Sequence, residues 1–236
     1  MATSHGGPLA VALHDLQNIF GERLQAFVAY GQPGANPAPA LALVRSMTAD
    51  DLDQCAAHVA AWHRAGCATP LLLTRDEFAG SLDAFPIEYG EILDTHHVLF
   101  GVDPFVGLSI RTEDLRRECE TQVKSHLLHL RQNYIDSRGR QSEVGALVAE
   151  GAPALALILR RLARLDGYPA HTHADLGTYA AQGPGLDART VGSILALSGN
   201  HQASGVDAIR LYPAYLAAVE RLWHFIDGWR SRTNAQ

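Results

Sequence analysis

The spacing of hydrophobic positions changes repeatedly along the first third of the chain. Residues 9–20 place leucine and phenylalanine at intervals of three and four, which predicts an amphipathic helix that ends near Gly21. The next apolar run, residues 24–30, is short and rich in strand formers, and it stops at the glycine and proline of residues 31–34. A second short run, Ala40–Val44, follows the loop. The pattern therefore predicts helix, strand, glycine loop and buried strand in that order.

The same alternation continues as far as residue 93. Residues 48–65 are predicted to form a helix because Thr48 is a good N-cap and acidic residues occupy the first turn. Residues 69–73 read as a third strand, and Thr74 with Glu77 has the spacing of a capping box. Residues 85–93 are predicted to be a fourth extended segment. Strands separated by helices of these lengths indicate a mixed sheet with helices covering its faces.

From Thr112 onward the pattern is helical throughout. Helical periodicity recurs in five segments, residues 112–134, 142–165, 174–181, 187–198 and 207–230, which are separated by short breaks rich in glycine. Short connections favour antiparallel neighbours. The predicted fold class is therefore α/β plus all-α, with a mixed-sheet domain at residues 1–111 and an antiparallel helical bundle at residues 112–236.

Charge and cysteine content narrow the classes of function. The formal net charge of −6 gives no general reason to bind a polyphosphate backbone, so nucleic acid is not an expected partner. Cys55, Cys67 and Cys119 are odd in number and lack metal-ligand spacing, which predicts buried free thiols rather than a disulfide framework.

Two features bear on localisation. Residues 1–8 have neither the cationic start nor the apolar run of a secretory signal. The longest apolar stretch, residues 152–159, is shorter than the roughly 20 residues that span a bilayer. The expected location is cytoplasmic, with no membrane partner.

The order of the first elements resembles the nucleotidyltransferase fold shared by DNA polymerase beta and the aminoglycoside nucleotidyltransferases. In that family a glycine and a serine end the first strand, and two aspartates separated by one residue open the second. Backbone amides at the glycine turn approach the nucleotide phosphates. The paired carboxylates hold divalent cations that stabilise the charge of an in-line displacement.

This chain departs from that pattern at the residues that carry the chemistry. On the resemblance, Gly31 takes the glycine position and Gln32 replaces the serine, while Ala40 and Ala42 fall where the aspartates belong. No Asp or Glu occurs between Gly31 and Val44, so shifting the register restores no metal ligand. The resemblance therefore implies descent from a nucleotidyltransferase and loss of its metal-dependent chemistry, with no cofactor required.

A later segment makes the resemblance more specific. Residues 85–105, which begin Phe-Pro-Ile-Glu and contain Leu-Phe-Gly, are similar to uncharacterised bacterial nucleotidyltransferase-like proteins. With the preceding strands the resemblance covers about residues 9–135. Glu88 and Glu91 are candidate cleft residues, because acids in a strand that otherwise reads as buried are costly unless they are paired or face a cleft. An exposed edge strand is the alternative.

Three residues of the first C-terminal helix complete the candidate site. In proteins of this architecture that helix borders the cleft, so the resemblance implies that Lys124 or Arg131 meets a phosphate and that Tyr134 lies nearby. A solvated helix face is the alternative.

The functional expectation is a degenerate, non-catalytic protein that binds a nucleotide, a small molecule or a protein partner in the interdomain cleft. Two alternatives stay open. One is an active magnesium-dependent enzyme that uses relocated carboxylates such as Glu88, Glu91 and Asp94. The other is a structural or regulatory homodimer built on the C-terminal helices, with aromatic residues near the end of the chain, Trp223 and Trp229 among them, as packing or dimer contacts.

Overall fold

The chain divides into two compact units, Met1–Arg111 and Thr112–Gln236. The computed structural model describes residues 7–31, 34–170, 172–198 and 205–229, with residues 205–208 described by their backbone alone. Each unit is described separately below.

The first unit is a four-stranded mixed sheet with helices. The strand order is β3-β2-β1-β4; β1 is antiparallel to both β2 and β4, and β2 is parallel to β3. The elements in chain order are α1 Ala10–Phe20, a one-turn 3₁₀ helix Gly21–Arg23, β1 Leu24–Ala29, β2 Ala40–Val44, α2 Ala49–Arg64, β3 Leu71–Thr74, α3 Arg75–Gly80, α4 Pro86–Thr95 and β4 His97–Gly101.

Local signals in the sequence determine where two of these helices begin. Thr48 caps α2 and exchanges hydrogen bonds with Asp51, while Thr74 caps α3 and does the same with Glu77. Both predicted helix starts are therefore confirmed. The Asp51 carboxylate also accepts two hydrogen bonds from the Arg23 guanidinium, at 2.6 and 2.7 Å. The Asp51 side chain therefore completes the capping box of α2 and also anchors the 3₁₀ turn before β1.

The prediction of a strand at residues 85–93 is wrong. This segment forms the helix α4, which has Pro86 at its first position, where the fixed φ of proline favours a helix start. Its buried side chains include Ile87, Tyr89 and Ile92. A short apolar run of this kind has no clear period, so its length and composition fit either element. The fourth strand is instead β4, immediately after it.

Both faces of the sheet are covered. One face packs against α1 and α2, in a cluster that includes Leu16, Phe27 and Trp62. The other face packs against Phe78 of α3 and Ile92 of α4. The central strands β1 and β2 are consequently buried on two sides, and all five residues of β2 are buried.

The second unit is helical in its described part. It comprises α5 Thr112–Asp136, α6 Gln141–Leu165, α7 His173–Gln182, α8 Ala188–Leu195 and α9 Gly205–Asp227. The helix α6 packs against each of the other four. It is also the one helix in the described residues long and apolar enough to cross a membrane, and 56% of its most apolar stretch is buried. A buried core helix meets that test equally well.

Candidate functional site

Ala40 and Ala42 lie in the core of the first unit. Their exposed fractions are 1% and 0%, and they face Ala29 and Phe27 across the β1–β2 ladder. Both belong to the cluster under α1 and α2 that contains Trp62. A methyl group provides no metal ligand, and an acidic side chain at either position would be enclosed by apolar groups. In this chain β2 therefore contributes packing, not coordination.

The glycine turn after β1 is bound to the end of α4. Gly31 adopts φ of +80°, and its backbone N–H donates to the Thr95 hydroxyl oxygen at 2.8 Å. The Thr95 hydroxyl in turn donates to the Glu91 carbonyl at 2.6 Å. The amide that would approach a phosphate already has a protein partner. Gln32, the next residue of the predicted turn, lies outside the described residues.

Thr95 was not predicted from the sequence as a site residue. Its role depends on α4 being a helix that ends beside the turn after β1. The prediction of a strand at residues 85–93 gives no reason to place Thr95 there. The signal that could have found it is the Phe-Pro step at residues 85–86, because proline at the first helical position marks a helix start.

Glu88 and Glu91 are exposed residues on successive turns of α4. The inference that they interrupt a buried strand is therefore wrong, because they project from a helix whose opposite face carries the apolar contacts. Burial, and then the charge of Glu91, raise the pKa of Tyr30 at the end of β1. Tyr30 and Glu91 are thus electrostatically linked beside the glycine turn.

The candidate residues of α5 contact α9. The Lys124 ammonium pairs with Glu120 and lies 5.4 Å from the centre of the Trp223 ring. The Arg131 guanidinium donates to the Glu220 carboxylate at 2.6 Å. Each cation therefore already has a carboxylate partner, and a phosphate that binds to either must compete with it.

The aromatic residues of this region also contact other helices of the second unit. The Tyr134 ring stacks on that of Tyr212, with centroids 4.4 Å apart. Trp229 donates its indole N–H to Asp166 at 2.8 Å, and Asp166 also accepts the Tyr179 hydroxyl at 2.9 Å. The Asp166 carboxylate, which follows α6, therefore binds both α7 and the residues that follow α9.

All three cysteines are buried free thiols, as predicted. Burial raises the pKa of the Cys67 thiol to about 11 and that of the Cys119 thiol to about 12. Both thiols are therefore protonated near neutral pH, whereas the thiolate is the form that reacts as a nucleophile.

The described residues contain no cluster of three or more His, Cys, Asp or Glu side chains suited to hold a metal ion. No protein-family model matches the sequence, and a search of curated proteins finds no match.

Proposed function

We propose that this chain is a nucleotidyltransferase-like protein that has lost nucleotidyl transfer and acts by binding a nucleotide, a small molecule or a protein partner without a metal ion. The observation that carries the proposal is the burial of Ala40 and Ala42 in the apolar layer under α1 and α2. Metal-dependent transfer needs paired carboxylates at these positions. Neither residue supplies one.

The glycine turn supports the same proposal. The Gly31 amide is bonded to Thr95, so a phosphate would have to displace a hydroxyl at 2.8 Å before it could bind there. A displaced hydrogen bond reduces the net gain from the new contact. A nucleotide would accordingly bind weakly through this turn, and magnesium would add little to its affinity.

A thermal-shift screen of nucleotides with and without Mg²⁺ tests the proposal, because a ligand that binds only the folded state raises the Tm. We expect any stabilising nucleotide to raise the Tm equally in the presence and absence of Mg²⁺. A nucleotide that stabilises the protein only when Mg²⁺ is present would contradict the proposal, since it would indicate a metal site built from other carboxylates.

An active enzyme with relocated carboxylates has less support. Glu88, Glu91 and Asp94 follow one another at intervals of three residues along α4, and all three are exposed. Without two metal ligands, an enzyme loses charge stabilisation that lowers the free energy of the transition state by roughly several kcal/mol. Three acids spaced along one helix do not restore a paired site.

One observation favours a homodimer as a second candidate function. Leu128 and Ile135 of α5 are 62% and 72% exposed, and their separation of seven residues places them on one face of the helix. Light scattering coupled to size exclusion tests this candidate. A dimer that dissociates in the Leu128→Ser, Ile135→Ser double variant would support it, and a strict monomer would contradict it.

A further inference from the structure

The imidazole of His96 is held between two groups that only accept hydrogen bonds. Its Nδ1 lies 3.0 Å from the Leu93 carbonyl oxygen, and its Nε2 lies 3.3 Å from Oδ1 of Asp103. A carbonyl and an ionised carboxylate have no proton to give, so each contact is a hydrogen bond only if the facing ring nitrogen carries one. A neutral imidazole has a single N–H.

The second proton therefore determines whether both contacts exist. When the single N–H of the neutral ring is at Nδ1, it donates to Leu93, and the lone pair of Nε2 faces the Asp103 carboxylate. In the imidazolium, Nε2 donates to Asp103 and the two groups carry opposite charges. We propose that the neutral His96 ring keeps its proton on Nδ1, so that His96 and Asp103 form a proton-dependent clasp, which fixes the turn at residues 102–106 to the end of α4 only when the ring carries both protons.

The surroundings of the pair are consistent with such a clasp. The His96 ring also meets Phe105 edge-on, with centroids 4.9 Å apart, and Asp103 brings a carboxylate to the imidazole. The flanking residues Asp94 and His97 are exposed. The side chain of His96 is 17% exposed and that of Asp103 is 41% exposed, which leaves protons free access to the pair.

Asp103 also organises the turn itself. Its Oδ1, the same oxygen that faces His96, accepts the backbone N–H of Phe105 at 2.9 Å. The Phe105 amide and then the His96 ring lower the pKa of the Asp103 carboxyl, which favours its ionised form. The clasp is thus complete on the acidic side of neutrality and opens as the pH rises.

The clasp lies beside the contact that holds the glycine turn. Thr95 binds the Gly31 amide and the next residue, His96, binds Asp103. Thr95 therefore fixes the glycine turn at any state of the His96 ring, whereas His96 fixes the turn at residues 102–106 only when its ring carries both protons. This inference does not depend on the proposed function, because it concerns only the ring, its two acceptors and the turn.

The backbone amide of Phe105 reports the state of the clasp, because it donates to the oxygen that His96 contacts. We expect its ¹H–¹⁵N signal in the full-length chain to shift as the pH is varied between about pH 5 and pH 8, where histidine side chains in general change charge. His96→Gln and Asp103→Asn should abolish that shift. His97→Gln, which changes an exposed neighbouring histidine, should leave it unchanged. A pH-dependent shift that survives in His96→Gln would overturn the proposal.

A second measurement needs no variant. The signals of the His96 ring nitrogens and of the Phe105 amide in the wild-type chain should change over the same pH range, because both report the protonation of one ring. Two signals that change over different pH ranges would also overturn the clasp.

Discussion

Ala42 lies directly opposite Phe27 in the antiparallel pair of β1 and β2, and neither side chain is exposed to solvent. The ring of Phe27 and side chains of α1 and α2 belong with Ala42 to one buried apolar cluster. Position 42 is therefore part of the packed core of the first unit.

Placing an acid at position 42 should destabilise the first unit. We expect Ala42→Asp to lower the free energy of unfolding by more than about 3 kcal/mol, because it buries a charge without a partner. Chemical denaturation measures the change. Ala56→Asp, on an exposed position of α2, is the matched control and should cost less than about 1 kcal/mol. A stable Ala42→Asp protein would show that β2 is open to solvent.

Removing the Thr95 hydroxyl should release the Gly31 amide. We expect Thr95→Val to raise hydrogen exchange at Gly31 about fivefold, which corresponds to the roughly 1 kcal/mol of one hydrogen bond. Thr121 is the control, because its hydroxyl also donates to the carbonyl four residues earlier, but the structure gives it no amide to accept. Equal exchange at Gly31 in Thr95→Val and Thr121→Val would contradict the assigned contact.

Gly101 is required by the pairing of β4 with β1. Its φ is +83°, and a Cβ built there would lie 2.1 Å from the Gln25 carbonyl oxygen. We expect Gly101→Ala to cost more than about 3 kcal/mol, since backbone strain and a clash with main-chain atoms add together. Gly107 has φ of +84° with open space around it, so Gly107→Ala isolates the strain and should cost about 1 kcal/mol. Similar losses in both variants, measured by thermal unfolding, would exclude the clash.

The second unit should lose stability in acid through His126. Its Nε2 contacts the Tyr215 hydroxyl at 2.7 Å, and that hydroxyl donates to the Gly151 carbonyl at 2.6 Å. Burial, with a smaller effect of His129, lowers the pKa of His126 to about 4. The unfolded chain then binds more protons than the folded one between about pH 6.5 and pH 4, so stability falls as the pH falls through this window.

The full effect amounts to roughly 3 kcal/mol. Urea unfolding at several pH values measures it. His126→Gln, which keeps a donor for Tyr215, should remove most of the acid dependence, whereas His129→Gln should retain it. An unchanged pH profile in His126→Gln would assign the acid sensitivity to other groups.

The sequence predicted those features that depend on neighbouring residues. Thr48 and Thr74 mark helix starts because each cap and its acidic partner are three residues apart. The strand at residues 40–44 follows from an uninterrupted apolar run between prolines and polar residues. These signals are local, so the surrounding fold does not alter them.

Contacts between distant residues could not be predicted in this way. His126 and Tyr215 are 89 residues apart, and Asp166 and Trp229 are 63 residues apart, so no periodicity connects them. The error at α4 has the same origin. Its apolar residues fit a strand or a helix equally well, and packing against Phe78 and Phe105, outside the segment, decides between the two.

Pyrophosphate release from the four nucleoside triphosphates, measured with Mg²⁺ or Mn²⁺, tests the central claim most directly. We predict no release above that of a sample without protein, and the same result for a Glu88→Gln, Glu91→Gln, Asp94→Asn triple variant. Metal-dependent release that increases with protein concentration and disappears in the triple variant would contradict the claim, because it would show that the α4 carboxylates support metal-dependent transfer.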